Sequence, residues 1–468
     1  MKAKMKKLFV AAAFTISLVG AASADLSKRI DQIITQPSQS NVQFSVHIIK
    51  PGSGKTVYSH NAVKPLIPAS NMKIVTTAAA LKFLGPNYEY KTKIGLCGDT
   101  VVIIGSGDPL LGDKVTDAKY GRDAGWIFED IAGALKQRGI TTVKDIIVDA
   151  GIFDSRRVHP NWPKEQLNRW YACEVSGLNF NGNCIDVTAQ NIGGKVIVSI
   201  DPKTDFIEII NKVVPISKGK GAVAAYRSLE PNKIILKGQC KKQQGPFTIA
   251  IERPDAFFGY LLAENLNRSG IKTQGQLTEN AAGTDCNIKV LREYSHSMAD
   301  CLIRCNKNSF GLAAEALLKT IAANTRPDRK AGSWETGTMI ISKYLTDLGV
   351  SPLEFYIDDA SGLSRQNKLS ANAITNVLSY VYESRDWKLY KDSLAVGGVD
   401  GTIRKYFKEE KYKGKILGKT GYISGVKSFS GICTTSGGDY IFSILANNTN
   451  GKTRKAINDI AKAIVDDG

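Results

Sequence analysis

The chain has 468 residues, enough for two to four domains and a sizeable core, and sets 62 Lys+Arg against 44 Asp+Glu, a formal net charge of +18. A basic surface suits an anionic partner such as cell-wall polymer, acidic lipid or nucleic acid. The charges are scattered, however, and not gathered in one arm, which argues against a nucleic-acid-binding tail. Four histidines and no H-E-x-x-H string exclude the common metal-site patterns, and no motif calls for a metal or an organic cofactor.

The first segment, "MKAKMKKLFVAAAFTISLVGAASAD", places four lysines before an apolar run and Ala22-Ser23-Ala24 before Asp25. This pattern predicts a secretory signal peptide over residues 1–24. No later segment is apolar enough to cross a bilayer, so the expectation is an exported, periplasmic protein with no integral membrane segment once the signal is removed. Export also argues against nucleic acid. The cysteines (Cys97, Cys173, Cys184, Cys240, Cys286, Cys301, Cys305 and Cys433) are even in number, which permits disulfides in an oxidising compartment without choosing their pairing. Cys301 and Cys305, one helical turn apart, are poorly placed to join each other.

Next comes "VQFSVHIIKPGSGKTVYSHNA". Its end resembles a phosphate loop, but the first glycine of that motif should stand at residue 49, which is Ile49. Alternating residues on both sides make "PGSG" the turn of a β-hairpin. The following "IPASNMKIVTTAAALKFLG" reads as a helix, with Met72, Ile74, Val75, Ala78, Leu81 and Leu84 at helical spacing. Ser70 therefore stands at the helix N-terminus, and Lys73 lies one turn on, on the same face. A buried lysine there can lose its proton and act as base toward the serine hydroxyl, while the helix N-terminus favours the negative charge of acyl transfer. S-x-x-K recurs at Ser217/Lys220 and Ser424/Lys427, in a glycine-rich loop and a turn. Of these three, only Ser70 has the helix to align the pair.

Residues 92–267 read as β-rich, with strands in "KVIVSIDP", "DFIEIINKVVPI" and "NKIILKG" and a helix in "WIFEDIAGALKQRG". The stretch from Ser70 to Ser309 is too long for the helical half of one catalytic domain, so 92–267 is expected to be inserted, as two domains, into a catalytic domain made of 25–91 and 268–468. "VVIIGSGDPLLG" within it reads as a tight turn, because the third glycine of a dinucleotide fingerprint is misplaced. Ser370 reads as the N-cap of "ANAITNVLSYVY". Lys419-Thr420-Gly421 is the only K-[ST]-G in the chain and opens alternating β-rich sequence. The last helix, "TRKAINDIAKAIVDD", puts Ile457, Ile460, Ala461 and Ile464 on one face.

Taken together, "YSHNAVKPLIPASNMK", "VVIIGSGDPLL", "SGLNFNGN", "DDASGLSRQNKLSA", "LAVGGVDGTIRKYF" and "GKTGYISGVKSFSG" resemble, in order, the low-molecular-mass class C penicillin-binding proteins. These are D-alanyl-D-alanine carboxypeptidases and endopeptidases, serine peptidase family S13. The resemblance spans nearly the whole mature chain. It implies an α+β fold: a serine β-lactamase/transpeptidase-like domain, an antiparallel sheet with helices and a helical lobe, interrupted by β-rich insertions. It implies Ser70 as the acylated nucleophile, Lys73 as its base, Lys419, Thr420 and Gly421 as the carboxylate-binding strand, and the Tyr422 amide beside that of Ser70 as an oxyanion hole. The family's S-x-N element falls on "RCNKNSFG". Ser309 takes the serine position, but the asparagine position is Gly311, which offers no side-chain amide; Asn306 and Asn308 flank Ser309 on its other side.

The reaction so implied is hydrolysis of D-alanyl bonds in peptidoglycan stem peptides, with β-lactams as covalent inhibitors and no cofactor. Two rivals remain: a Ser-Lys esterase or amidase on the same scaffold, and a peptidoglycan-binding protein whose catalysis Gly311 has weakened.

Overall fold

The computed structural model describes residues 25–279, 287–325 and 331–468; the expected signal peptide (1–24) and Cys286 lie outside them. The described chain forms two compact units. One comprises the segments ending at Lys82, Leu302–Phe310 and Thr338–Gly468, and the other Phe83–Cys301 and Gly311–Gly337.

The first unit is built on a six-stranded antiparallel sheet. Its strands are β1 (Gln43–Ile49), β2 (Thr56–His60), β3 (Ala395–Val396), β4 (Ile416–Ile423), β5 (Val426–Thr435) and β6 (Gly438–Asn447), in the spatial order β3-β4-β5-β6-β1-β2. The β1–β2 connection is the expected hairpin turn, with Gly52 and Gly54 at φ +77° and +65° and Lys50 N donating to Lys55 O at 2.9 Å. Strand alternation sends Phe44, Val46 and Ile48 to one face. There they pack with the helix over residues 25–34 (Leu26, Ile30) and with the C-terminal helix, whose Ile457, Ile460, Ala461 and Ile464 are fully buried. Ser45 and His47 point to the other face. They hydrogen-bond the helix Ala371–Tyr382, through Ala371 N and the Thr375 hydroxyl. Ser370 caps that helix, its Oγ accepting from Ala373 N at 2.9 Å. The helix α1 (Met72–Leu84) is buried on every side from Met72 to Leu81, as an apolar helix inside a core must be.

The second unit centres on a mixed five-stranded sheet, ordered Leu277–Glu279, Ile146–Asp149, Thr100–Ile104, Glu89–Cys97 and Lys289–Ser297. Helices Trp126–Lys136 and Pro254–Arg268 cover it, with Phe128, Phe180, Phe257 and Phe258 in one aromatic cluster. The strands read from the sequence appear as Lys195–Asp201, Glu208–Pro215 and Lys233–Cys240 in two three-stranded sheets. "VVIIGSGDPLLG" runs from strand to tight turn, where a side chain at Gly107 (φ +78°) would strike the Phe153 ring. Cys97 is disulfide-bonded, whereas Cys173, Cys184, Cys240 and Cys433 are buried thiols. A thiol–thiol hydrogen bond to Cys173, together with burial, pushes Cys184 well above the ordinary thiol range.

Candidate active site

The site is assembled at the N-terminal end of α1. Ser70 lies not in the α-helix itself but in a 3-10 turn, Ala69–Asn71, that leads into it. Ala69, at φ +46°, holds a left-handed conformation that L-residues adopt at a cost. This turn aims Ser70 back over the helix: its Oγ is 3.2 Å from Lys73 Nζ. Lys73 is almost completely buried and also donates to the backbone carbonyl of Ser361 at 2.7 Å.

Two glycines grip the Ser70 turn. Gly421 of β4 passes so close that a Cβ there would lie 2.8 Å from Pro68 O and 3.0 Å from Ser70 N. Gly362, at φ +80°, would place a Cβ 1.8 Å from Ala69 O. Gly362 belongs to the loop "DDASGLS". The Asp359 carboxylate pins that loop by accepting from Gly362 N at 2.8 Å, Ser364 N at 2.6 Å and Asn367 Nδ2 at 2.7 Å. A backbone carbonyl and a close-packed glycine carry no residue-type signature, so Ser361 and Gly362 gain a role only from the structure.

Lys419, on β4, is wholly buried. Its ammonium reaches Ser309 Oγ at 2.8 Å and its neighbour's carbonyl, Thr420 O, at 2.7 Å. Burial, and next the positive charge of Lys73, push its pKa well below that of an ordinary lysine. Ser309 sits at φ +61°, a strained turn between the helix Met298–Asn306 and the helix Gly311–Thr325. Thr420 is half-buried, with its hydroxyl at the surface, and the Tyr422 side chain is 69% exposed. Ser70, Lys73, Ser309, Lys419, Thr420 and Gly421 thus converge from three separated stretches of sequence. The other S-x-x-K serines lie elsewhere in the chain: Ser217 in a loop, Ser269 in the turn after the helix Pro254–Arg268, and Ser424 in the β4–β5 turn.

Gly311 is buried at the start of its helix. Of the two flanking asparagines, Asn308 is exposed. Asn306 is fully buried, donating to Ser393 Oγ at 2.9 Å and Thr77 Oγ1 at 3.3 Å. Those bonds hold Asn306 to two other helices.

Two serine–lysine pairs, the second with its lysine on β4, form an arrangement suited to acyl transfer. One base takes a proton from a hydroxyl, and a second hydroxyl beside a cation can return it. The model of the D-Ala-D-Ala carboxypeptidase 3 (S13) family matches residues 26–466. The chain belongs to this family. Among curated members, the D-alanyl-D-alanine carboxypeptidase of Actinomadura sp. strain R39 is 27% identical, over 94% of this chain and 84% of that protein. D-alanyl-D-alanine carboxypeptidase DacB of Haemophilus influenzae is 23% identical, over 86% and 85%. The crystal structure of penicillin binding protein 4 from H. influenzae superposes with a TM-score of 0.79 at 20% identity, covering 93% of this chain and 98% of that one. The resemblance read from the motifs therefore holds, as does the α+β, β-lactamase/transpeptidase-like fold with extra β-rich parts.

Proposed function

We propose that this S13 enzyme is an exported serine D-Ala-D-Ala carboxypeptidase/endopeptidase that hydrolyses D-alanyl bonds of peptidoglycan peptides in the periplasm. Ser70 Oγ attacks the carbonyl next to the terminal D-alanine, or of a D-alanyl cross-link, as Lys73 Nζ takes its proton. The amide C–N bond breaks, and the leaving amine receives a proton by way of Ser309. Water then hydrolyses the Ser70 ester and regenerates the serine. Lys419 and Thr420 receive the carboxylate of the leaving residue, and Gly421 lets the substrate backbone lie close to the strand. The amides of Ser70 and Tyr422 stabilise the oxyanion. β-Lactams acylate Ser70 in the same way. An interrupted catalytic domain, with 92–267 as the insertion, belongs to the same reading.

The observation that carries this reading is the Ser70–Lys73 contact at 3.2 Å, with the lysine buried. A lysine that gives up its own proton can accept the serine's, and burial lowers the cost of that loss. Gly311 favours a slower member: one absent hydrogen bond to substrate is worth about 1 to 3 kcal/mol, or roughly ten- to hundredfold in rate. The test is the intact mass of the mature protein after incubation with benzylpenicillin, beside Ser70→Ala. One adduct per chain, absent from the variant, is expected. No adduct, combined with no turnover of a D-alanyl-D-alanine peptide, would overturn the reading in favour of a peptidoglycan-binding protein.

A further inference from the structure

One hydroxyl at the site belongs to no S-x-x-K, S-x-N or K-T-G element. Thr402 Oγ1 lies 2.9 Å from Thr420 Oγ1, and this contact is exposed to solvent. Thr402 sits in the segment "VGGVDGT", between β3 and β4, and its position is closely determined. Thr402 N donates to Lys307 O at 3.1 Å. Asp400, two residues earlier, accepts from Val396 N at 2.8 Å and forms an ion pair with Lys307. Between them Gly401 turns at φ +60°, where a Cβ would lie 2.6 Å from the Ala395 side chain and 2.9 Å from Lys307 O. The segment is therefore tied to the stretch that carries Ser309 and to the edge of the strand that carries Thr420.

These bonds fix the backbone of Thr402 and leave its side chain at the surface, directed at the Thr420 hydroxyl. Two hydroxyls 2.9 Å apart can point their protons toward the two oxygens of one carboxylate, each making a charge-assisted hydrogen bond. Lys419, next to Thr420 on β4 and wholly buried, adds positive charge whenever its amine is protonated.

We infer that Thr402 is a further substrate-binding residue, the second hydroxyl of the subsite that receives the carboxylate of the leaving D-alanine. The inference rests on the carboxypeptidase reading above. Without a substrate the two threonines satisfy each other; with one, both turn to its carboxylate. Thr402 consequently discriminates between leaving groups that carry a free carboxylate and those that do not.

The test compares Thr402→Val and Thr402→Ser with the unaltered protein on acetylated L-lysyl-D-alanyl-D-alanine and on its C-terminal amide. Thr402→Val, nearly isosteric, is expected to lose about ten- to hundredfold in kcat/KM on the acid. It should do so mainly through KM and lose less on the amide, whose neutral group takes only a weaker hydrogen bond. Thr402→Ser restores most of the loss. Equal rates for Thr402→Val and the unaltered protein on the acid would overturn the inference, as would an equal loss on both substrates, which marks a merely structural residue. Should Thr402→Val not fold, Thr402→Ala is compared with Thr402→Ser in the same way. An unaltered protein that turns over neither peptide and takes up no penicillin would instead bring down the carboxypeptidase reading, and this inference with it.

Discussion

The two serine–lysine pairs of the site are built in opposite ways. Ser70 and Lys73 are neighbours on one turn, and backbone packs against them: the Ser361 carbonyl on the lysine and two glycines against the Ala69–Ser70 peptide. Ser309 and Lys419 are 110 residues apart in sequence. They meet because a strained turn and a sheet strand are each anchored elsewhere. The first pair is rigid by close packing, and the second by the register of β4 and the tether of the 396–402 segment. A nucleophile must be placed to a fraction of an ångström, which backbone packing provides. A proton relay needs only hydrogen-bond reach, and on the proposed reading this leaves room for a glycine at position 311.

The largest effect on this contrast should come from removing the close packing. Gly362→Ala forces a left-handed residue and a Cβ onto Ala69 O, at a cost of about 1 to 3 kcal/mol. It is expected to slow penicillin acylation more than a hundredfold, because the relief displaces Ser70. Gly414→Ala is the control: it has the same sign of φ but nothing within 4 Å, and should acylate normally. Stopped-flow acylation and thermal melting of the two variants read the difference; equal acylation rates would show that Ser70 tolerates movement.

A smaller gain is expected from restoring the relay side. Gly311→Asn should raise turnover of a D-alanyl-D-alanine peptide about tenfold, the value of one hydrogen bond used in the transition state. An unchanged rate, in a variant shown to be folded, would mean that other groups already do that work.

The smallest effect concerns pH. The Lys419 ammonium exists below its pKa, and burial and the charge of Lys73 lower that pKa. Its charge is therefore lost at a lower pH than that of an exposed lysine. KM for a carboxylate-bearing peptide is expected to rise on the alkaline side, and to rise less in Lys419→Arg, whose guanidinium stays charged. KM for the C-terminal amide should be flat over the same range. A KM profile identical in the two proteins would detach Lys419 from carboxylate recognition.

The same contrast explains what could be read from the sequence. Ser70–Lys73 was legible because an i, i+3 spacing on a helix is a local geometric fact. The strands around residues 195–240 were legible from alternation, and the last helix from its apolar stripe. Ser309 and Lys419 could be paired only through the family resemblance, since nothing local links them. The 3-10 turn at Ser70, the carbonyl of Ser361 and the tether at Thr402 were not legible at all. Each depends on where a backbone atom falls in three dimensions, and any residue type supplies a backbone atom.

The Ser361 carbonyl has a consequence for how such a protein changes over generations. An amino-acid exchange at position 361 alters a side chain and leaves the main-chain oxygen in place, so this support of Lys73 is not encoded in any single codon. Drift that weakens it must bend the path of the chain, through the glycine or the aspartate that shapes the loop.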